Sequence, residues 1–294
     1  MAILVIKLSA MGDFVLAFPA MAAIRAAHPG ARITLLTTSP FAPLARASGW
    51  FDHVEIDRRP KFWNVSGLLR LRRQLRGFDL VYDLQTSGRS SRYYVLAGRP
   101  SWSGIAAGCS LPHADPNRVF LHSRERLEGQ LHAAGIFDLP VPDLSWAKAD
   151  ISKFGLPERY AVLVPGAAPH RPEKRWPTEN FAELCKSLDM QVAVVGGSAE
   201  EQKMAAEIGG INLTGRTSLL ELAAVMARAQ LAIGNDTGPM HLAAALGTQS
   251  VVLFSGASDP KLTAPRYPDG GWPVILRAPH LADLPVAQVR AALP

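Results

Sequence analysis

The sequence has little cysteine and no long apolar run. Its 294 residues include two cysteines, Cys109 and Cys185, which lie far apart in the chain. This spacing excludes a disulfide framework and a cysteine-based zinc site, and it indicates a reducing compartment. The longest apolar run, residues 14–24, contains Pro19 and falls short of the ~20 residues that cross a bilayer. Lys7 interrupts the first apolar stretch and no basic region precedes it, so we expect neither a transmembrane segment nor a signal peptide.

The charge balance is basic. The chain carries 31 Lys and Arg against 25 Asp and Glu, a formal net charge of +6 at pH 7, and 48% of its residues are hydrophobic. This composition is typical of a soluble globular protein, and the length predicts about two domains. The excess of positive charge indicates an anionic partner, and nucleic acid, acidic lipid and phosphorylated sugar all fit that description.

Strand and helix patterns alternate along the chain. Residues 2–6 are predicted as a buried strand, 14–28 as an apolar helix and 32–36 as a second strand, which is the order of a βαβ unit with a parallel sheet. No Gly-x-Gly-x-x-Gly follows the first strand, so the sequence disfavours a nucleotide-dependent dehydrogenase. The second half repeats the alternation, with predicted strands at 160–164, 191–195, 231–234, 250–254 and 274–276.

A segment with spaced prolines, residues 139–142, predicts the boundary between two domains. We expect an N-terminal domain at 1–145 and a C-terminal domain at 146–294, each of α/β class with a parallel sheet. The C-terminal helix, residues 285–293, is expected to be able to pack back on the first domain.

One polar turn in the second domain has the pattern of a phosphate site. Asp236, Thr237 and Gly238 follow an apolar strand and open a helix that stops at Gly247, with His241 in its first turn. Such a turn presents backbone N–H groups and the positive end of a helix dipole at the carboxyl edge of a sheet. The alternative is an ordinary helix N-cap with a histidine packed under a loop.

Asp13 follows Gly12 at the point where the first strand passes into its helix. One interpretation is a first-turn acid that interacts favourably with the helix dipole. The other is a carboxylate at the sheet edge, beside a glycine that lets a substrate approach the backbone closely.

Residues 58–76 form a basic segment without a single acid. Phe62 and Trp63 lie within it, together with several leucines. Its cations are Arg58, Arg59, Lys61, Arg70, Arg72, Arg73 and Arg76. A solvated helix face is the common explanation of such a run, but charge of one sign mixed with aromatic side chains also fits an anionic head group or a membrane surface.

Two motifs together resemble a known family. Lys7-Leu-Ser-Ala-Met-Gly-Asp13 resembles the N-terminal loop of the lipopolysaccharide heptosyltransferases of glycosyltransferase family 9, and Asp236-Thr-Gly-x-x-His241 resembles their signature. Further positions similar to the family follow in order along nearly the whole chain: 79–85 with Arg89, 174–177, Gly196-Gly197 with Glu200, and 213–219.

This resemblance implies a GT-B fold, in which two Rossmann-like domains with parallel sheets face a central cleft. The acceptor then binds the N-terminal domain and the nucleotide sugar binds the C-terminal one. It also implies an inverting glycosyltransferase that moves a heptose from ADP-heptose to an acceptor of the lipopolysaccharide core, with neither a metal nor a cofactor. The sequence contains no Asp-x-Asp, which agrees with a reaction that needs no metal.

The resemblance also implies roles for single residues. Asp13 is the expected general base for the acceptor hydroxyl. Lys174 and the N–H groups at Thr237 and Gly238, with His241 nearby, are expected to hold the departing diphosphate. The other residues expected on the donor side are Ser9, Glu200, Gly215 and Asp236, with Glu201 an equal claimant for the ribose contact. The residues expected to bind the acceptor or another anion are Arg58, Arg59, Lys61 and Arg89.

Other functions fit the same residues. One is a GT-B transferase that uses another nucleotide sugar or a non-lipopolysaccharide acceptor, and another is a non-catalytic sugar-nucleotide-binding protein. No recognised nucleic-acid-binding module is present, so we expect no nucleic-acid partner. We expect a cytoplasmic protein that meets an anionic glycolipid acceptor at the inner-membrane surface, with peripheral attachment to its cytoplasmic face as one form of that contact.

Overall fold

The computed structural model describes residues 1–168 and 170–293. The chain forms two compact units, Met1–Trp146 and Ala147–Pro294. Each unit contains one six-stranded parallel sheet flanked by helices, which is the α/β architecture that the alternating pattern predicts.

Unit 1 is built around its first strand. Its strands are β1 Ala2–Ile6, β2 Arg32–Thr37, β3 His53–Ile56, β4 Leu80–Asp83, β5 Ser101–Gly104 and β6 Leu111–Pro112. Its α-helices are α1 Met11–Leu16, α2 Phe18–Ala27, α3 Ala42–Ala47, α4 Val65–Gln74, α5 Gly88–Ala97 and α6 Ser123–Ala133. The strand order is β3-β2-β1-β4-β5-β6, so the order reverses between β1 and β4. In doubly wound sheets, ligands bind beyond the carboxyl ends of the strands at such a reversal.

The helix predicted at 14–28 is in fact two helices. α1 begins earlier than predicted, at Met11, and α2 begins anew at Phe18. Pro19 explains the break, because proline lacks the N–H that a continuous helix would bond and is tolerated only in a first turn.

Unit 2 repeats the topology of unit 1. Its strands are β7 Tyr160–Val164, β8 Gln191–Val194, β9 Ile211–Asn212, β10 Leu231–Asn235, β11 Gln249–Phe254 and β12 Val274–Arg277. Its α-helices are α7 Thr178–Ser187, α8 Ala199–Ile208, α9 Leu219–Arg228, α10 Gly238–Ala245, α11 Pro260–Thr263 and α12 Val286–Ala291. The strand order is β12-β11-β10-β7-β8-β9, and the reversal lies between β7 and β10.

The C-terminal helix α12 packs within unit 2. It contacts α7, and Val286 and Val289 belong to the same buried core as Trp176 and Phe181. The sequence left open whether this helix packs back on the first domain; within unit 2 it packs on α7. The physical reason is that its apolar side chains complete the core beside Trp176, whose Nε1 donates a hydrogen bond to the Leu284 carbonyl.

Candidate active site

The loop after β1 is held from both sides. Pairing of Ile6 with Asp83 brings this loop next to the one that follows β4. There the amide oxygen of Gln85 accepts hydrogen bonds from the backbone N–H groups of Leu8, at 2.8 Å, and Ser9, at 3.1 Å. On the other side, Arg59 Nη2 donates to the Ser9 hydroxyl and the Leu8 carbonyl. The loop therefore enters α1 in a fixed position.

Asp13, the expected general base, is the third residue of α1 and is exposed. One of its carboxylate oxygens, Oδ2, accepts a hydrogen bond from the N–H of Ala10 at 3.2 Å, so the residue also fills the first-turn role that the sequence left open. The carboxylate lines a cavity of ≈ 170 Å³. Both interpretations of this residue hold together, because the capping contact leaves the side chain exposed.

Three cations line the same cavity and were not among the expected site residues: Lys7, Arg118 and Arg126. Lys7 is only 5% exposed, and its ammonium donates to the Leu84 carbonyl at 2.9 Å. Burial lowers the pKa of Lys7, while the carboxylates of Asp13 and Asp83 act in the opposite direction. Positive charge at this density makes the cavity an electrostatic site for an anion.

The second of these cations, Arg118, is fixed by its own bonds. Its Nη2 donates to the Thr86 hydroxyl at 2.8 Å and its Nε to His113 Nδ1 at 3.1 Å. Burial lowers the pKa of Arg118, and the nearby Arg126 lowers it further. One signal in the sequence was usable, a lysine directly after a buried strand. No signal pointed to the two arginines, which come from a 3-10 turn at residues 118–120 and from α6.

Asp83 is a buried carboxylate at the end of β4. Its Oδ1 accepts hydrogen bonds from the N–H groups of Gln85 and Thr86, both at 3.1 Å, which shapes the turn that holds the β1 loop. Burial raises the pKa of Asp83 to about 6, although the hydrogen bonds and Lys7 act against that rise.

The four residues expected to bind the acceptor or an anion are all exposed, but they have different surroundings. Arg59 adopts a left-handed backbone with φ 48°, and its N–H donates to Asp57 Oδ1 at 2.7 Å. Arg58 lines a second cavity of ≈ 160 Å³ together with Arg70. Lys61 lies over the ring of Trp63, with its ammonium 5.0 Å from the centroid.

The fourth, Arg89, lies in the first turn of α5 and acts on Tyr93 of the same helix. The hydroxyl of Tyr93 donates to Asp57 Oδ2 at 2.6 Å. Burial raises the pKa of Tyr93, Asp57 raises it further, and Arg89 lowers it. Arg59 and Arg89 thus approach one buried pair, Asp57 and Tyr93, from two elements.

In unit 2 the structure brings together Lys174, Asp236 and His241. The Lys174 ammonium lies 2.6 Å from Asp236 Oδ2, and the Ser258 hydroxyl donates to the same oxygen at 2.9 Å. His241 Nε2 is 3.9 Å from Asp236 Oδ1, which is beyond hydrogen-bond length, so Lys174 is the principal partner of the carboxylate. Burial alone would raise the pKa of Asp236, but the interactions with His241 and Lys174 outweigh it and hold that pKa at about 2.

Asn235, the last residue of β10, fixes the position of this cluster and was not an expected site residue. It is wholly buried, its Oδ1 accepts the N–H of Trp176 at 3.0 Å and its Nδ2 donates to the Pro165 carbonyl at 2.7 Å. The amide therefore ties the chain that carries Lys174 to the carboxyl ends of β7 and β10.

Thr237 and Gly238 lie at the start of α10, with Thr237 as the N-cap. The Thr237 side chain makes no capping hydrogen bond, and both residues are partly exposed. The first turn of a helix carries N–H groups that lack intrahelical partners, together with the positive end of the dipole. Positive potential at this helix start therefore lies beside the Lys174 ammonium.

The two candidate ribose ligands differ in their surroundings. Glu201 Oε2 accepts the N–H groups of Gly197, at 2.8 Å, and Ser198, at 2.7 Å, in a capping box at the start of α8. Glu200 is more exposed and pairs with Arg175. The Glu201 carboxylate thus caps the start of its own helix, whereas Glu200 has a carboxylate oxygen at the surface.

Gly215 and Ser9 complete the expected donor set. Gly215 has φ 71°, a conformation that favours glycine, and its N–H donates to the Gly196 carbonyl at 2.8 Å. Gly215 therefore lies with the turn of Glu200 and Glu201. Ser9 instead belongs to unit 1, where its hydroxyl accepts from Arg59.

Within 1–168 and 170–293, no group of three or more His, Cys, Asp or Glu side chains is placed to hold a metal ion. No helix in those ranges has the length and apolar character that a membrane span needs.

Comparisons with known proteins agree with this architecture. The family model of glycosyltransferase family 9 (heptosyltransferase) matches residues 68–271. Lipopolysaccharide heptosyltransferase 2 of Escherichia coli (strain K12) is 28% identical over 307 residues, which cover 90% of this chain and 85% of that protein.

Solved structures show the same fold. A glycosyl transferase family 9 protein from Veillonella parvula DSM 2008 has a TM-score of 0.83 at 23% identity, with 99% of this chain and 95% of that chain covered. An E. coli heptosyltransferase solved with ADP-2-deoxy-2-fluoro heptose has a TM-score of 0.77 at 24% identity, with 99% and 98% covered. The predicted fold class, GT-B with two Rossmann-like units, is confirmed.

Proposed function

The chain belongs to glycosyltransferase family 9 and is a glycosyltransferase, and from that premise we propose that it moves a heptose from ADP-heptose to an acceptor of the lipopolysaccharide core. The names of the relatives support both substrates, because one is a lipopolysaccharide heptosyltransferase and another was solved with an ADP-heptose analogue. The observation that carries the donor half is the Lys174–Asp236 pair at the start of α10.

We assign the departing diphosphate to this pair and to the N–H groups at Thr237 and Gly238. The Lys174 side chain is 17% exposed, and Asp236 holds its ammonium at one point beside the helix start. An ammonium that is already oriented pays little reorganisation cost when negative charge develops on the leaving group. In this scheme the lysine, the helix dipole and His241 supply the positive charge, so the reaction takes no metal ion or cofactor.

We assign the acceptor side to unit 1, with Asp13 as the general base. Its carboxylate takes the proton from the acceptor hydroxyl while that oxygen attacks the anomeric carbon from the face opposite the diphosphate, which inverts the configuration there. The cations that line the cavity beside Asp13, Lys7, Arg118 and Arg126, support an anionic acceptor. Arg58, Arg59, Lys61 and Arg89 stay assigned to binding of the acceptor or another anion.

We also assign the reaction to the cytoplasm, at the inner-membrane surface. An acceptor of the lipopolysaccharide core is an anionic glycolipid, so the enzyme must reach lipid head groups from water. The net charge of +6 supports such an encounter.

The test is a transfer assay with ADP-heptose and a heptose-free core glycolipid in detergent. We expect the acceptor to gain the mass of one heptose, with one ADP released per product. The anomeric configuration of the product, read by NMR, should be opposite to that of the donor, and added chelator should not change the rate.

Two measurements test the alternative functions. The first is a thermal-shift panel of ADP, UDP, GDP and CMP, which tests the choice of nucleotide. A shift with UDP alone would point to another nucleotide sugar. Binding of ADP-heptose without ADP release in the presence of acceptor would point to a non-catalytic binding protein.

A further inference from the structure

Four large apolar side chains between residues 62 and 69 are exposed to water. Phe62 is 82% exposed, Trp63 62%, Val65 66% and Leu69 54%. The two rings contact each other edge to face, with 4.5 Å between centroids. Single exposed apolar residues are ordinary on a protein surface, but four within eight residues of sequence indicate an interaction surface.

Helix α4 carries Val65 and Leu69 and begins just after Phe62 and Trp63. It packs on unit 1 through Leu71 and Leu75, which are buried. Asn64 caps its start, since Asn64 Oδ1 accepts the N–H of Gly67 at 2.9 Å. Positions 65, 69, 72 and 73 lie on another side of the helix, because side chains three and four residues apart share a face, and Arg76 follows just after the end of α4. The outward face is therefore apolar at its beginning and cationic at its end.

The cations of this face belong to a segment that contains no acidic residue. No Asp or Glu occurs between Arg58 and Arg76. Among the residues that the structure describes, none of the cations in that segment forms an ion pair. Leu69, Arg72, Arg73 and Arg76 together line an open groove of ≈ 410 Å³, so an apolar side chain and three guanidinium groups share one surface.

This combination of apolar and cationic side chains fits one kind of partner best. A nucleic acid would satisfy the arginines and stack on the rings, but it offers little to the aliphatic side chains of Val65 and Leu69. An anionic bilayer offers both, since phosphate head groups lie directly above acyl chains and an interfacial helix buries its apolar side ~5–10 Å into that boundary. α4 has 10 residues, so it can lie in the surface but cannot cross it.

We propose that Phe62, Trp63 and the outward face of α4 form a docking surface for an anionic lipid bilayer, with the two rings and Leu69 inserted among the lipids and Arg72, Arg73 and Arg76 paired with head-group phosphates. This deepens the proposed membrane location by naming the surface, and it rests on the proposed function only for the choice of the inner membrane. The transfer chemistry is not involved.

The experiment is co-sedimentation of the full chain with vesicles of phosphatidylcholine that contain 30% phosphatidylglycerol, against vesicles of phosphatidylcholine alone. We expect binding to the anionic vesicles that weakens as salt is raised. F62S/W63S removes the apolar part and R72E/R73E reverses part of the charge. Each double variant should lower the partition coefficient about thirtyfold or more.

Matched controls separate this surface from general charge and hydrophobicity. R32E/R46E changes the net charge of the same unit by the same amount at two exposed arginines outside the segment, and F120S removes an aromatic side chain that is 77% exposed. Both controls should bind like the wild type. Equal losses in R32E/R46E and R72E/R73E would overturn the proposal, as would binding to inorganic phosphate or to a detergent-dispersed glycolipid but not to anionic vesicles.

Activity on a detergent-dispersed acceptor distinguishes the docking surface from the proposed function. R72E/R73E should retain transfer there, because neither arginine is assigned to the reaction. Loss of vesicle binding with transfer retained supports the docking surface. If the wild type transfers heptose but does not bind anionic vesicles, the docking surface is wrong while the proposed function stands.

Discussion

Arg59 donates a hydrogen bond to the hydroxyl of Ser9, with 2.6 Å between Nη2 and Oγ, across 50 residues of sequence. The same nitrogen lies 3.2 Å from the Leu8 carbonyl. The Arg59 backbone is fixed in turn by the Asp57 carboxylate, which also accepts the hydroxyl of Tyr93. A residue that we expected to bind an external anion therefore also holds the loop that leads to Asp13.

Replacing Arg59 by alanine should slow transfer more than it weakens substrate binding. The loop before Asp13 loses one of its two clamps, and small displacements of a reacting group cost about ten- to a hundredfold in rate. We expect kcat to fall by that factor with little change in KM for the donor. Arg58→Ala removes the same charge one residue away and should leave kcat nearly unchanged. If both variants raise KM and spare kcat, Arg59 acts as an anion ligand and not through the loop.

Replacing Asp13 by asparagine tests the assigned base. An asparagine oxygen can still accept the N–H of Ala10, so α1 should start as before, but the side chain can no longer take a proton. We expect kcat to fall by about 10²–10⁴. The thermal shift produced by ADP should be unchanged. A fully active Asp13→Asn enzyme would remove Asp13 from the mechanism.

Asp236 should make the stability of unit 2 depend on pH in the acid range. Its pKa is held at about 2, below the ordinary value of 3.8, so its charge stabilises the fold above pH ~4 and this contribution disappears as the pH falls towards 2. We expect Asp236→Asn to lower the free energy of unfolding by about 2 kcal/mol at pH 6, and by progressively less below pH 4.

The measurement for this prediction is urea unfolding of both proteins across that range. Asp138 is an exposed aspartate, and Asp138→Asn should change the free energy of unfolding by less than about 0.5 kcal/mol. A penalty for Asp236→Asn that stayed constant from pH 6 to pH 3 would rule out the ion pair with Lys174 as its source.

The pH dependence that Asp83 gives to the stability of the fold should have the opposite sign to that of Asp236. Burial raises its pKa to about 6, so the folded state favours the protonated carboxyl; that stability is complete below pH ~4 and is lost as the pH rises through 6. Asp83→Asn keeps the acceptor oxygen without the charge. Its free energy of unfolding should gain about 2 kcal/mol over that of the wild type between pH 4.5 and pH 8. Unfolding curves that differ by the same amount at both pH values would contradict this.

The sequence predicted the strands that are continuous apolar runs. The bounds of β1 and β7 are those expected, because Ala2–Ile6 and Tyr160–Val164 are uninterrupted buried segments. It did not predict β3 or β5. In β3 the residues are only half-buried, and β5 has a single large apolar residue, Trp102. The position of Trp102 depends on the fold around it, which local pattern cannot supply.

The residues of the candidate site also differ in how far the sequence could predict them. Asp236 follows β10 directly and Asp13 lies in the connection after β1, so the rule that sites lie beyond the carboxyl ends of parallel strands pointed to both. Lys174 was selected through the family resemblance. Arg118 lies in a 3-10 turn at residues 118–120 and Arg126 lies in α6, so both reach their cavity only through tertiary packing, in which α6 contacts β5 and α1. No local spacing relates them to Asp13, so the cavity could not be foreseen.

Both units have the same strand order. Among the described residues, the buried cluster that contains Trp102 lies in unit 1 and shares no residue with the cluster that contains Trp176 in unit 2. Each sheet therefore has an apolar cluster of its own packed against it. A substitution that enlarges or empties one of these clusters should loosen the packing of its own sheet first, so that damage begins within a single repeat of the topology.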